Sequence, residues 1–236
     1  PYSASIDLDN KFTISLWVRS SLANRWVLYK LYGTYGYGIG TDGADKTFRL
    51  HLYDGSVHTF DTTISAIDNI WKHLTFVIDR SVNKTYVYLN GNLHDVLDIS
   101  SVTGSIKGTS NLGIGANPYN AGSPFGGTID EVRIYNRSLT EAEIRELYLA
   151  GARKRGIFDD SLVLYMDFET VFANATLDAS KHSFVGYLKD ANTTNSDGDT
   201  RPKVVEGKFG QALEFDGVDD YVQVPHDESF NSIGEG

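Results

Sequence analysis

The feature that most restricts the fold of this chain is a two-residue alternation of apolar and polar side chains, repeated in many short segments. In one such segment Phe12, Ile14, Leu16 and Val18 fall on one face and Trp17 on the other. The predicted strands are residues 12–18, 26–31, 35–40, 47–53, 58–62, 72–79, 84–89, 111–115, 128–136, 162–168 and 212–224. Tight-turn pairs separate several of them, at Asp42-Gly43, Asp54-Gly55 and Asn90-Gly91. Many strands joined by such turns predict an all-β, antiparallel β-sandwich or barrel.

One segment has helical periodicity instead. Thr140 and Glu143 have the spacing of a capping box, and Ile144, Leu147 and Tyr148 then recur on one helical face. Gly151 follows as a stop signal. The sequence therefore predicts one short helix that packs against the edge of a sheet.

Composition excludes several classes of partner. The 236 residues permit one large sandwich or two small domains, and 41% hydrophobic residues are enough for a packed core. A net charge of −10 disfavours nucleic-acid binding, which needs a concentrated basic surface. The chain has no cysteine, so it has neither disulfides nor thiolate metal sites. No apolar run of about 18 residues is present, so we expect no membrane insertion.

The order of the motifs resembles a known family. The motifs in the first part of the chain are FTISLWV at 12–18, WKHLTFVID at 71–79, TYVYLNG at 85–91, LGIG at 112–115 and FGGTIDEVRIYNRSLTEAEI at 125–144. Those in the second part are LVLYMDF at 162–168 and GKFGQALEFDGVDDYV at 207–222. Together they resemble the laminin-G-like jelly roll of the concanavalin A-like lectin/glucanase superfamily, which is related to the pentraxins. This resemblance implies a jelly-roll sandwich with one short helix.

The two parts stand in reversed order relative to that family. Residues 1–151 resemble its C-terminal portion, residues 152–160 form a charged linker, and residues 161–236 resemble its N-terminal strands. The chain begins at Pro1, and residues 225–236 take the same place in the pattern as residues 1–11, so we interpret it as one repeat excised from a tandem array. The late strands can complete the same domain, as a circular permutation, or that of the next subunit, by strand exchange. Both alternatives remain open at this point.

The strongest metal candidate is the acidic turn with Asp216, Asp219 and Asp220 around Gly217, to which Asp130 and Glu131 offer two more carboxylates. Oxygen-rich loops of this kind suit calcium, and members of the resembling family commonly carry a calcium ion in such loops. Weaker candidates are Asp167 and Asp178. The alternative is that Asp216 and Asp219 cap the turn through their own backbone and that Asp130 satisfies buried amides.

Aromatic side chains in loops and hairpins form a second candidate site. Tyr35 and Tyr37 lie in a glycine-rich hairpin, and Tyr119 and Phe125 in the loop before the last strand of the first part. Exposed aromatic rings stack on the faces of sugars, although Tyr and Phe are also ordinary strand residues. N-x-S/T sequons, which predict possible glycosylation, occur at Asn83, Asn136, Asn174 and Asn192.

Catalysis is disfavoured by what the motifs lack. The Glu-x-Asp-x-x-Glu arrangement of concanavalin-like glucanases is absent, and adjacent Asp130 and Glu131 are expected on opposite faces of a strand. The six histidines form no metal or nucleophile signature. We therefore predict a non-enzymatic, extracellular or cell-surface module. Its first functional interpretation is a self-assembling structural or adhesive repeat with strand exchange. The alternatives are a calcium-dependent carbohydrate-binding module and, more weakly supported, a glycan-active enzyme.

Overall fold

A computed structural model describes residues 6, 8–23, 25–120, 122–150, 158–190 and 201–226. The strands are β1 Lys11–Ser20, β2 Trp26–Tyr32, β3 Tyr35–Thr41, β4 Thr47–Asp54, β5 Val57–Ser65, β6 Lys72–Asp79, β7 Lys84–Leu89, β8 Asn92–Asp98, β9 Leu112–Ile114, β10 Gly126–Tyr135, β11 Leu162–Met166, β12 Val171–Phe172, β13 Ala175–Leu177, β14 Val185–Asp190, β15 Lys203–Glu206, β16 Gln211–Asp216 and β17 Asp220–Val224. One helix, α1, spans Glu141–Ala150.

The strands form two antiparallel sheets that pack face to face. Sheet A has the order β15-β16-β10-β1-β6-β7-β8, with β11 also paired to β10. Sheet B has the order β12-β13-β14-β17-β9-β2-β3-β4-β5. This arrangement confirms the predicted jelly-roll sandwich with one short helix. The non-consecutive neighbours in both sheets show that most pairings join distant parts of the chain.

The burial of individual strands explains the layering. On β4 of sheet B, Phe48, Leu50 and Leu52 are buried between the sheets, while the residues between them are partly exposed. On β1 of sheet A, residues 12–18 are buried on both faces. Sheet A is therefore covered on its outer side as well as its inner side, whereas sheet B has one open face over β4.

The cover on sheet A comes partly from α1. Ile144 and Leu147 join Tyr135 and Tyr165 in a second apolar cluster on the outer side of sheet A. The predicted capping box is present, because Thr140 N donates to Glu143 Oε2 at 2.7 Å and Glu143 N donates to Thr140 Oγ1 at 3.3 Å. The helix thus begins where the sequence predicts.

An arginine ties the start of α1 to the strand that follows it. Arg137 donates to Glu143 Oε1 and to Asp159 Oδ2, both at 2.7 Å, and to Ser161 Oγ at 2.9 Å. The Arg137 guanidinium holds the pKa of Glu143 down to about 2. Helix α1 and the entry to β11 therefore share one charged anchor.

Strands from the second part of the chain pair with strands from the first part in both sheets. In sheet A, β10 pairs on one edge with β1, and its other edge is shared by β16 and β11. In sheet B, β17 pairs with β9. Within this one chain, residues after 158 thus extend both sheets that residues before 150 begin. Exchange of these strands between chains remains a prediction.

Several strands were not predicted from the sequence. Strand β8 has mostly exposed residues at the edge of sheet A, and β12 to β15 are short or lie in polar sequence. The predicted strand 212–224 is two strands with a turn at Gly217, where φ is +84°. Edge strands bury few side chains, so their alternation is weak.

Candidate binding face

Three glycines leave a bare strip on the outer side of sheet B. Gly36, Gly38 and Gly40 alternate along β3 and share one face of that strand. A Cβ built on Gly38 would lie 3.0 Å from the ring of Trp26, and one on Gly40 would lie 3.4 Å from it. The indole of Trp26 therefore rests on backbone that only glycine leaves free, and it remains partly exposed.

Other aromatic rings surround this indole. Tyr29 meets Trp26 edge to face with ring centroids 4.9 Å apart, and His51 lies 4.5 Å from it on the other side. Tyr53 is stacked near His51 at 6.4 Å. Register explains the grouping, because Gly38 stands opposite both Tyr29 and His51. We call Trp26, Tyr29, His51 and Tyr53 the aromatic face; all four are partly exposed.

The ionisation of this face follows from its burial. Burial, with the nearby Arg49 charge as a lesser cause, lowers the pKa of His51 to about 4. Burial also raises the pKa of the phenols of Tyr29 and Tyr53 above their usual value of 10.0. At neutral pH the aromatic face therefore carries no ionised ring, and its polar atoms act as neutral hydrogen-bonding groups.

A small cleft of about 120 Å³ adjoins the aromatic face. It is lined by Arg25, Trp26, Gly40, Thr41, Arg49, His51 and Ser123. Arg49 is held by two carboxylates: its Nη2 lies 2.8 Å from Asp42 Oδ1 and 3.0 Å from Asp61 Oδ2, and its Nε also donates to Asp61. The cleft thus places fixed polar groups beside a flat aromatic ring.

The four aromatic residues predicted as a sugar site are not brought together. Tyr37 and Phe125 are 1% and 0% exposed and lie in the core between the sheets, where they offer no face to a ligand. Tyr35 and Tyr119 are exposed. Tyr119 is close enough to Tyr29 to help raise the pKa of that phenol, so it borders the aromatic face. Tyr35 lies in the β2–β3 turn region, against Gly55 and Gly108.

The acidic turn predicted for calcium does bring three carboxylates together. One oxygen from each of Asp216, Asp219 and Asp220 lies within 4.8 Å of the others. Two ligands of one calcium ion at about 2.4 Å can be at most about 4.8 Å apart, so this spacing fits the ion. Asp216 Oδ1 also accepts the N–H of Val218 at 2.8 Å, as the capping alternative predicted. Both interpretations are compatible with the observed geometry.

Asp130 and Glu131 do not belong to that group. Asp130 Oδ2 accepts the N–H groups of Lys208 and Phe209 at 2.9 and 3.1 Å. Glu131 accepts the Tyr165 hydroxyl at 2.8 Å and pairs with Arg133. Asp130 Oδ2 and the Glu131 carboxylate are thus engaged by protein donors, and neither residue lies within the acidic group at 216–220. Among the described residues, the only acidic group with metal-ligand spacing is the turn at 216–220.

The expectation that Asp130 and Glu131 point to opposite faces is wrong. Trp17 on β1 stands opposite Asp130, but Ser15 stands opposite Arg133, so β10 carries one extra residue between them. Glu131 has φ of +56°, the left-handed conformation of a bulge. The bulge turns both carboxylates to the outer side of sheet A. They are nevertheless 0% and 4% exposed, so they form no accessible pair for a substrate.

The two weaker metal candidates also accept hydrogen bonds from backbone N–H groups. Asp178 accepts the N–H groups of Tyr165 and Ser180 at 2.7 and 2.9 Å, and Asp167 accepts that of Glu169 at 3.1 Å. The three sequon residues that the structure describes are all exposed, at Asn83, Asn136 and Asn174. Asn192 lies outside the described residues. Their glycosylation stays a prediction.

One feature of the sequence indicates the aromatic face. Glycine at every second position of β3 means that one face of that strand has no side chains. Strands on either side then need large residues at matching positions to cover it. The matching positions depend on register, which joins Gly40 to Trp26 and Gly38 to His51.

Among the described residues, no helix is long and apolar enough to cross a membrane.

Comparison with known proteins agrees with this fold. A family model described as the concanavalin A-like lectin/glucanases superfamily matches residues 2–145. A solved protein from Bacteroides ovatus, for which carbohydrate binding is inferred, is 19% identical with a TM-score of 0.59; the match covers 77% of this chain and 53% of that one. This chain therefore spans about half the length of that relative.

Two further solved structures are similar. The binding domain of Paraclostridial Mosquitocidal Protein 1 is 17% identical with a TM-score of 0.50, and the match covers 89% of this chain and 62% of that one. A heptameric SAP-like pentraxin from Limulus polyphemus is 15% identical with a TM-score of 0.48, covering 71% and 89%. At these identities the likeness concerns the fold.

Proposed function

This chain belongs to the concanavalin A-like lectin/glucanase superfamily, and from that premise we propose that it is a non-catalytic module that binds carbohydrate through the aromatic face. We place it outside the cell or on its surface, where glycans are available. The observation that carries the proposal is the partly exposed indole of Trp26 lying on the glycine strip beside a polar cleft. A flat aromatic surface with nearby hydrogen-bonding groups is suited to the face of a sugar ring.

The absence of an accessible carboxylate pair on β10 supports a binding role over hydrolysis. Glycoside hydrolysis needs two carboxyl groups facing a substrate at a separation of about 5 to 9.5 Å. Asp130 and Glu131, the adjacent acids of β10, are both buried and hydrogen-bonded. They therefore serve the fold rather than a substrate.

Two alanine substitutions test the binding role: one at Trp26 and a control at Trp71. We expect Trp26→Ala to weaken oligosaccharide binding by about tenfold or more, because stacking area is lost at the centre of the face. Trp71 is also partly exposed but lies on the sheet A side, under the Arg19 guanidinium. Trp71→Ala should leave binding unchanged. The measurement is a glycan array followed by isothermal titration; equal losses in both variants, or no bound glycan at all, would overturn the proposal.

We also propose that Asp216, Asp219 and Asp220 bind a calcium ion that stabilises the β16–β17 turn. Their spacing fits a hard cation, and the turn adjoins a cleft lined by Asp216 and Asp220. Calcium should raise the unfolding temperature, and Asp219→Asn should reduce that increase while Asp98→Asn, a carboxylate on exposed β8, should not. Thermal unfolding in calcium, magnesium and chelator measures this. An unfolding temperature unaffected by calcium would contradict it.

Self-association by strand exchange is the second candidate function, as the repeat of a surface filament or sheath. It is favoured by one observation: the two parts of the chain meet through backbone ladders, such as β10 with β16, that a neighbouring copy offers equally well. Light scattering over a range of concentrations tests whether particles exceed the 26.1 kDa of one chain. Monomers at every concentration would contradict it.

A disulfide distinguishes exchange from simple surface contact. Thr128 and Glu214 face each other across the β10–β16 ladder, and the chain has no cysteine of its own. In the double variant Thr128→Cys, Glu214→Cys, exchange should give covalent dimers and longer chains on a non-reducing gel. A disulfide formed only within single chains would show that each chain completes its own sandwich.

A further inference from the structure

The charges beside the aromatic face are arranged in a way that bears on which sugars it accepts. Arg49 lines the cleft, and it stands opposite Asp61 in the β4–β5 ladder. Asp61 binds it through both carboxylate oxygens, and Asp42 binds it at 2.8 Å. One guanidinium is thus engaged by two carboxylates.

A guanidinium is a strong ligand for a sugar carboxylate when its paired N–H groups are available. In Arg49 the Nε and Nη2 edge, which forms such a pair of parallel hydrogen bonds, is already taken by Asp61. Asp42 is fixed in turn by the N–H groups of Ala44 and Asp45. An acidic ligand that used this edge of Arg49 would have to displace Asp61, and it would meet the charge of Asp42 at Nη2.

The aromatic face adds no compensating positive charge. His51 lies between Trp26 and Tyr53, and its burial keeps the imidazole neutral above about pH 4. Tyr29 and Tyr53 are neutral at physiological pH for the same reason. The four rings are therefore uncharged, and the charged groups beside them are Arg25 and Arg49, which line the adjoining cleft.

From this geometry we infer that the aromatic face selects neutral sugars over uronic and sialic acids, and that Asp61 is the residue that sets this selectivity by occupying Arg49. This inference rests on the proposed carbohydrate binding and adds the ligand class to it. Asp61 is a positioning residue: it acts on the ligand through Arg49. Removal of its charge leaves no buried charge unpaired, because Arg49 is 24% exposed and keeps Asp42 at 2.8 Å.

The inference predicts that selectivity can be reversed by one substitution. Asp61→Asn removes the charge that holds the Nε and Nη2 edge of Arg49, whose side chain lines the cleft. We expect affinity for an acidic probe, trigalacturonic acid, to rise about tenfold, as for one new charge-assisted hydrogen-bonded pair. Affinity for neutral oligosaccharides should change less than about twofold.

A matched control separates this effect from overall charge. Asp98 is also an exposed carboxylate facing a cation across a ladder, in this case Lys84 on sheet A, at 3.0 Å. Asp98→Asn changes the net charge of −10 by the same amount without touching the cleft. It should leave the affinity for both probes unchanged.

The experiment is titration calorimetry of the wild-type chain, Asp61→Asn and Asp98→Asn with a panel of neutral gluco-, manno-, xylo- and arabino-oligosaccharides and with trigalacturonic acid. Preference of the wild-type chain for neutral probes, with gain of acidic binding in Asp61→Asn alone, supports the inference. If the wild-type chain binds acidic and neutral probes equally, or if Asp61→Asn gains nothing, the inference fails while carbohydrate binding stands. If no probe binds any of the three proteins, the proposed function itself fails.

Discussion

Each of the two sheets carries an arginine–carboxylate pair on its outer side, but the surroundings of the two pairs differ. On sheet A, Arg133 pairs with Glu131, and both side chains are 5% exposed. On sheet B, Arg49 pairs with Asp61, and these side chains are 24% and 41% exposed. Sheet A is covered by α1, whereas sheet B presents its arginine beside an open aromatic face.

The environment decides what each pair does. Under the cover of sheet A, Arg133 also stacks on Tyr165 at 4.0 Å, and the Tyr165 hydroxyl donates to Glu131. Removing either Arg133 or Glu131 leaves the charge of the other buried without compensation. On sheet B, water can solvate either member of the Arg49–Asp61 pair, so breaking that pair leaves no charge without a partner. The same pair of groups is therefore expected to matter for stability where it is buried and far less where it is exposed.

The largest expected effect breaks the covered pair. Arg133→Met leaves the carboxylate of Glu131 buried without its cation, and we expect a loss of about 3–5 kcal/mol in the free energy of unfolding. Urea denaturation measures it. The double variant Arg133→Met, Glu131→Gln should recover part of the loss, since the uncompensated charge is gone. A loss below about 1 kcal/mol would show that sheet A tolerates the loss of one member of its ion pair as well as sheet B does.

The next effect concerns Asp130, which lies beside the covered pair. Burial, and less strongly the charge of Glu131, raises its pKa to about 7. In the unfolded chain this carboxyl releases its proton near pH 4, whereas the folded chain holds it to about pH 7. The folded state therefore loses stability as pH rises from 4 to 7, by up to about 1.4 kcal/mol per pH unit.

The test for Asp130 is the difference between two pH profiles. Asp130→Asn keeps an oxygen for the N–H groups of Lys208 and Phe209 but cannot ionise. Its stability relative to the wild-type chain should increase from pH 4 to pH 7. His73, whose pKa burial lowers to about 3, has an opposite pH dependence that cancels in this difference. Parallel profiles would contradict a raised pKa at Asp130.

A smaller effect tests the helix that covers sheet A. Thr140→Ala removes the hydroxyl that accepts the N–H of Glu143, and we expect a loss of about 1 kcal/mol. Thr140→Ser, which keeps the hydroxyl, is the matched control and should lose little. Thermal unfolding followed by circular dichroism measures both. Equal behaviour of the two variants would show that the cap does not stabilise α1.

The smallest expected effect is on the exposed pair. Arg49→Met removes the guanidinium from Asp61 and Asp42, and we expect a loss of at most about 1 kcal/mol in the free energy of unfolding. Asp61 is 41% exposed, and Asp42 keeps the N–H groups of Ala44 and Asp45. The same urea series used for Arg133→Met measures it. A loss as large as that of Arg133→Met would remove the distinction between the two sheets.

Much of the fold was predictable because its signals are local. Alternation predicted most strands of both sheets, and the spacing of Thr140 and Glu143 predicted the start of α1. Strand β8 was missed because an exposed edge strand has weak alternation. The bulge at Glu131 was missed because its left-handed φ depends on how β10 pairs with β1.

The candidate site was predictable only in part. The acidic turn at Asp216, Asp219 and Asp220 is contiguous in sequence, so its carboxylates could be grouped without a structure. Tyr37 and Trp26 are both strand aromatics, and nothing in their neighbours along the chain tells which one is buried. That difference comes from the face each strand turns toward the opposing sheet.

The amino-acid sequence by itself determined the class of fold, most of its strands, helix α1 and its acidic turn, because hydrophobic periodicity, capping and turn chemistry act over a few neighbouring residues. The tertiary structure alone decided which distant side chains share a surface. Trp26 and His51 meet across Gly38 and Gly40, and Asp130 and Glu131 face the same side, because strand register and one extra residue on β10 place them there.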